Sequence, residues 1–209
     1  MHFYENERVA IFIDGANNHS AAKALHFEID YKRLLALFRR KSHLVTARYY
    51  TSVAEFDDYS SIRPLVDWLE YNGFHLVTKP AREIVDRTGT HLVKGNLEIE
   101  IVIDCLQLAG SIDHIVLFSG DGRFTCLVAA LQDMGKRVTV VSSMAFKPPI
   151  AASELRRQAD QFVELADLAP EIDREPKRNP VNANDAAPIQ RKSRPLQRSR
   201  EDLPVCGDG

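Results

Sequence analysis

The 209-residue chain predicts an α/β domain built on a central, mainly parallel five-stranded sheet. Three observations lead there. Five short β-rich runs punctuate the first two-thirds of the chain, helical patterns alternate with them, and glycines at 73, 110 and 135 stand where helices should stop. Strands alternating with helices make βαβ units, hence a parallel sheet with right-handed crossovers.

The first run, "VAIFID" (9–14), is almost wholly apolar, as expected of a strand covered on both faces. "YKRLLALFRR" reads as a helix leading into the second strand, "LVTARYY" (44–50). "YSSIRPLVDWLEYNG" leads into the third, "FHLVT" (74–78), and "LEIEIVIDCLQLAG" into the fourth, "IVLFS" (115–119). "RFTCLVAALQDMG" precedes the fifth strand, "RVTVVS" (137–142), and "ASELRRQADQFVEL" (152–165) reads as one amphipathic segment packed along the outside. Residues 1–7 form an N-terminal extension, 8–168 the domain, and 169–209 a disordered, basic, Pro-rich tail. The tail assignment rests on six prolines and no aromatic residue from Pro170 onward.

A net charge of −2 lacks the electrostatic signature of a nucleic-acid binder, but the average hides an asymmetry. Between Arg174 and Arg200 eight Lys/Arg face only Glu175 and Asp185. That excess either solubilises the tail or draws it to phosphate backbones. Cys105, Cys126 and Cys206 form no Cys-x-x-Cys pair, which argues against a zinc site and a disulfide framework. The first residues carry no leader pattern and no apolar run reaches membrane-spanning length, so a cytoplasmic protein without membrane association is expected.

In parallel α/β sheets ligands bind beyond the carboxyl ends of the strands, where strand order reverses. Asp14 ends the first strand in "IFIDGANNH", and Asp121 follows the fourth in "LFSGDG". Each, taken alone, is equally a turn or helix-cap residue. If the two strands are neighbours, the carboxylates converge, and like charges that close call for a cation between them. Oxygen ligands favour Mg²⁺ or Mn²⁺. Glu98 opens the next helix on that same edge and heads a stripe with Val102, Cys105 and Ala109. Asp104 lies about 9 Å further along the helix, too far to share one metal with Glu98 unless the helix is steeply tilted.

The motifs "FIDGANN", "KGNLEIEIVIDCL" and "LFSGDGRFTCLV" resemble those of the bacterial LabA-like proteins of the NYN domain family, relatives of PIN-domain nucleases. The resemblance covers about residues 8 to 168 and implies a PIN-like (Rossmannoid) three-layer sandwich with the first strand beside the fourth. It implies metal-dependent ribonuclease activity, with Asp14, Glu98, Asp104 and Asp121 as catalytic carboxylates and Asp14, Glu98 and Asp121 holding the metal. Asn17, Lys94 and Ser119 match supporting positions. Members commonly read Ser-Gly-Asp-Gly-Asp-Phe, whereas here the second Asp is Arg123. An arginine at that point either clamps a substrate phosphate or weakens a metal site.

The expected chemistry is phosphodiester hydrolysis, with a metal-bound water as nucleophile. Residues 79–94, a linker carrying Lys79, Arg82, Arg87 and Lys94, are expected to contact substrate. RNA is the expected partner, with a homo-oligomer or protein partner also open. The competing reading is a catalytically weakened module that binds RNA or a protein. A phosphatase using Asp-x-Asp is disfavoured because the second position, Ala16, is not acidic. The histidines are scattered and no Gly-x-Gly-x-x-Gly loop follows the first strand, which disfavours nucleophilic triads and dinucleotide binding.

Overall fold

The structure is a computed structural model describing residues 1–54, 62–85, 91–94 and 96–174, with the backbone alone for 54, 82–85 and 91–94. Residues 1–174 form one compact unit. Its strands are β1 (Arg8–Asp14), β2 (His43–Ala54), β3 (His75–Val85), β4 (His91–Lys94), β5 (His114–Phe118), β6 (Arg137–Ser142) and β7 (Gln161–Glu164). Its helices are α1 (Gly15–Ala24), α2 (Tyr31–Lys41), α3 (Arg63–Tyr71), α4 (Glu98–Leu108), α5 (Thr125–Asp133), α6 (Ser153–Gln158) and α7 (Leu165–Ile172). The sheet order is β4-β3-β2-β1-β5-β6-β7, so β1 is central and borders β5, the fourth of the predicted runs. Six strands are parallel and β4 pairs antiparallel with β3.

The sheet divides the interior into two apolar layers, and β1 shows why. Val9, Ile11 and Ile13 face a core built with α1, α2, α3 and α7, while Ala10 and Phe12 face one built with α4, α5 and α6. Alternation along a strand thus serves two helical layers, and the strand reads as continuously apolar. The predicted three-layer sandwich is what forms.

Several predicted segments differ in detail. The sheet has two strands beyond the five expected. The segment 152–165 is not one helix, because α6 ends at Gln158 and Gln161–Glu164 adds to the sheet edge beside β6. Residues 79–94 are not a simple linker, because β3 continues to Val85 and β4 folds back upon it. Residues 169–174 are structured: α7 runs to Ile172, which is buried, and Asp173 bridges to Ile29. Residues 1–7 also join the fold, with Phe3 packed edge-on against Phe38 and Glu7 paired with Arg137. Residues 175–209 lie outside those described, as does the predicted character of that part of the tail.

Asp14 pairs in register with Tyr50 of β2. Beyond that level β2 continues to Ala54 and β3 to Val85. At about 3.3 Å per residue, β2 alone extends about 13 Å past the end of β1. A β-arm thus rises beyond the carboxyl edge of the sheet.

Candidate active site at the carboxyl edge

The strand order reverses between β1 and β5, and Asp14 and Asp121 stand at the ends of those two strands. Both are also helix caps. Asp14 Oδ1 accepts from the Asn17 amide at 3.2 Å, and Asp121 Oδ1 from the Arg123 amide at 2.9 Å. Capping and site-building are therefore one arrangement, since a cap carboxylate sits on the positive end of its helix.

A polar lattice fixes the two ends together. Ser119 Oγ donates to Asp14 Oδ2 at 2.9 Å and accepts from the Asp121 amide at 3.2 Å. Asn17 Oδ1 accepts from the Gly120 amide at 2.8 Å, tying α1 to the loop after β5. Gly120 is required by space: a Cβ there would lie 2.6 Å from the Ile150 carbonyl oxygen and 2.8 Å from Ala151 Cα. Asn17 and Ser119, predicted as supporting residues, therefore hold the loop and Asp14.

α4 runs antiparallel to the strands, so Glu98 in its first turn arrives at the same edge. Burial raises the carboxyl of Asp14 above the ordinary range, and the nearby charges of Glu98 and Asp121 push it further. Hydrogen bonds from Asn17 and Ser119 oppose that rise. Asp121 is displaced the other way, chiefly by the hydrogen bond from Arg123.

Arg123 is the cation among these three acids. Its Nη2 donates to Glu98 Oε1 at 2.5 Å and also to Asp121 Oδ2, while Nε reaches Asp121 Oδ2 at 2.9 Å. Its side chain remains 60% exposed. The guanidinium therefore occupies two of the three carboxylates expected to share a metal. The donor chemistry suits a hard cation such as Mg²⁺ or Mn²⁺. The arrangement does not: among the described residues no group of three or more His, Cys, Asp or Glu could hold a metal ion. As the side chains stand, the acids do not fit a metal.

Asp104 is not brought to this cluster. Its Oδ2 accepts from Arg48 Nη1 at 2.6 Å and Tyr50 Oη at 2.7 Å, deeper between α4 and β2. Lys79, from the segment expected to contact substrate, pairs with Glu100 and donates to the Asn96 carbonyl at 3.4 Å. Arg82 and Lys94 pair through their backbones in the arm, and their side chains, like all of Arg87, lie outside the described residues. One neighbour escaped the motif reading. Glu154, in the first turn of α6, lies 2.7 Å by its Oε1 from where a Cβ on Gly122 would stand. Nothing near "SELRRQ" in sequence marks it, because α6 meets the loop only through tertiary packing.

Comparison with known proteins follows the same lines. Residues 8–166 match the family described as NYN domain. The chain is 34% identical over 190 residues to the low amplitude and bright protein LabA of Synechococcus elongatus, covering 88% of this chain and 98% of that protein. Among solved structures it is similar to a protein of unknown function from Vibrio parahaemolyticus, with a TM-score of 0.65 and 26% identity. That similarity covers 83% of this chain and all of the other.

Proposed function

We propose that this chain, which belongs to the NYN domain family, cleaves RNA phosphodiester bonds at the acidic cluster over β1 and β5 and requires Mg²⁺ or Mn²⁺ to do so. The family is a PIN-like nuclease group whose chemistry in general involves divalent metal. The observation that carries the reading is the convergence of Asp14, Glu98 and Asp121 where the strand order reverses, the position at which open parallel sheets bind ligands. Raised burial of Asp14 and its fixed hydrogen bonds from Asn17 and Ser119 support a role at the reacting centre.

A second reading is favoured by Arg123. Its bonds to Glu98 and Asp121 make a module that holds RNA, or a protein partner, without turnover. Cleavage of a labelled RNA panel with Mn²⁺, Mg²⁺ or EDTA separates the two. The expected result is metal-dependent cutting by the native chain that disappears in Asp14→Asn, a change that removes a charge and almost no volume. Cutting that survives in Asp14→Asn would discard the cluster as the site. RNA bound but uncut in every metal, with cutting acquired by Arg123→Asp, would establish the second reading.

A further inference from the structure

We propose that the outer face of α4 is the surface on which a second copy of this chain docks, with the two α4 helices antiparallel across a two-fold axis. The proposal concerns assembly and is independent of whether the acidic edge cuts RNA. α4 is apolar on two opposite sides. Leu97, Ile101, Cys105 and Ala109 are buried against the sheet. Ile99, Ile103 and Leu106 lie on the opposite side and are 69%, 47% and 39% exposed. A helix that packs on one layer needs a single apolar stripe, with polar residues opposite it. Here three large aliphatic side chains stand where polar ones are expected. Together with Gly110 they recur at spacings of 4, 3 and 4 residues. That is the seam of a two-helix coiled coil, whose apolar repeat averages about 3.5 residues.

The symmetry of the seam identifies its occupant. Positions 99, 103, 106 and 110 keep the same spacing when the helix is reversed end for end, so one copy fits another through a two-fold axis. In that register Ile103 of each chain meets Leu106 of the other, and Ile99 meets Gly110. A Cβ on Gly110 would have nothing within 4 Å, so the glycine leaves room for the isoleucine of the other copy. Charge permits the approach. The acids of α4 are each held by a cation of the same chain, Glu98 by Arg123, Glu100 by Lys79 and Asp104 by Arg48. None faces its counterpart in the antiparallel register, where Glu98 stands opposite Ser111. Neither α4 nor its neighbour α5 contains a Lys or Arg, so this surface does not suit an anionic partner such as RNA. From Ile99 to Gly110 the seam is about 17 Å long, and the pair buries on the order of 1,000 Å² in total, the lower end for a specific interface. The dimer is therefore reversible, with a dissociation constant on the order of 10 µM.

Sedimentation equilibrium of the full chain, at concentrations on either side of that value, reads the assembly. The native chain should pass from monomer to dimer. Ile103→Arg should weaken association by more than about tenfold, because it buries an unpaired charge at the centre of the seam. Circular dichroism should stay native, since residue 103 is at the surface. Orientation is read by disulfide trapping in a Cys126→Ser, Cys206→Ser background. Ile103→Cys and Leu106→Cys chains, one enlarged by a tag, should cross-link to each other about 5-fold faster or more than either does to itself. A native chain that stays monomeric overturns the proposal. So does a dimer that Ile103→Arg leaves intact, because its interface then lies elsewhere. Faster cross-linking of each single variant to itself overturns the antiparallel arrangement.

Discussion

A methyl group at position 15 would stand 2.7 Å from the Tyr50 carbonyl oxygen and 2.8 Å from the buried Tyr49 ring. Neither can retreat, since Tyr50 is paired in the sheet and Tyr49 is 1% exposed. Gly15→Ala should therefore cost about 1–3 kcal/mol of stability, measured as a shift in the urea midpoint with an unchanged slope. The same glycine lets α1 start directly behind Asp14, so a local packing constraint serves the site. At this scale much of the site is legible in sequence. Asp14, Glu98 and Asp121 stand out because acids rarely end apolar runs, and they meet as expected. The partners of Arg123 are not legible, because Glu98 is 25 positions away and joins it only through the fold. Asp104 is legible only by its motif position, which resembles that of the family's helical Asp; its partners Arg48 and Tyr50, which donate to its Oδ2, are brought to it by the fold. Arg48, the one Lys or Arg within β2, is the available signal that an acid lies opposite.

Elements are readable where large apolar residues recur and obscure where they do not. α1, "GANNHSAAKA", buries only Gly15, Asn18, Ala21 and Ala22, so it offers no periodic stripe and escapes a pattern search. β7 is four residues long and lies inside a segment whose wider pattern reads as a helix. β3 is broken in appearance by Pro80, yet that residue pairs with Val53 in register and the strand continues past it. The opposite end of the sheet carries a different constraint. His114, at the start of β5, is buried, with Nε2 at 2.8 Å from Thr139 Oγ1 and Nδ1 at 2.9 Å from Arg137 Nη2. Nδ1 also lies 3.3 Å from Glu7 Oε2, so the ring is held between a guanidinium and a carboxylate. Burial, then the Arg137 charge, lower its pKa to about 4, against the opposing pull of Glu7 and Asp160. The unfolded chain binds a proton near pH 6.5, so this contribution to stability is present above that pH and is lost as pH falls toward 4. Between pH 7 and pH 5 the native chain should lose about 2 kcal/mol through this group, and His114→Gln should flatten that part of a urea-denaturation pH profile. A native profile without slope in that range would place the imidazole in water.

At the scale of the whole molecule, the near-zero net charge conceals two unlike parts: an α/β unit with acids gathered at its carboxyl edge, and the strongly basic stretch 174–200. If that stretch contributes to RNA affinity, it acts on phosphates and without sequence choice. Removing residues 175–209 should then reduce the salt dependence of RNA binding, lowering the log–log slope by up to about 5. An unchanged slope would assign the basic run to solubility. No helix among the described residues is long and apolar enough to cross a membrane.

The central position of β1 has a further consequence, in time rather than space. His114, the first residue of the strand that closes one side of β1, follows Asp14 by 100 positions. At synthesis rates of about 5–20 residues per second, β1 waits roughly 5 to 20 seconds on the ribosome for that neighbour. During the wait it can pair with β2, but its other edge presents bare amides and carbonyls flanked by Val9, Ile11 and Ile13. The nascent chain is most exposed to mispairing in that interval, and a holding chaperone or a pause in translation after β4 would act there. The strand order that gathers three acids from distant parts of the chain also delays the moment at which the chain can safely leave its maker.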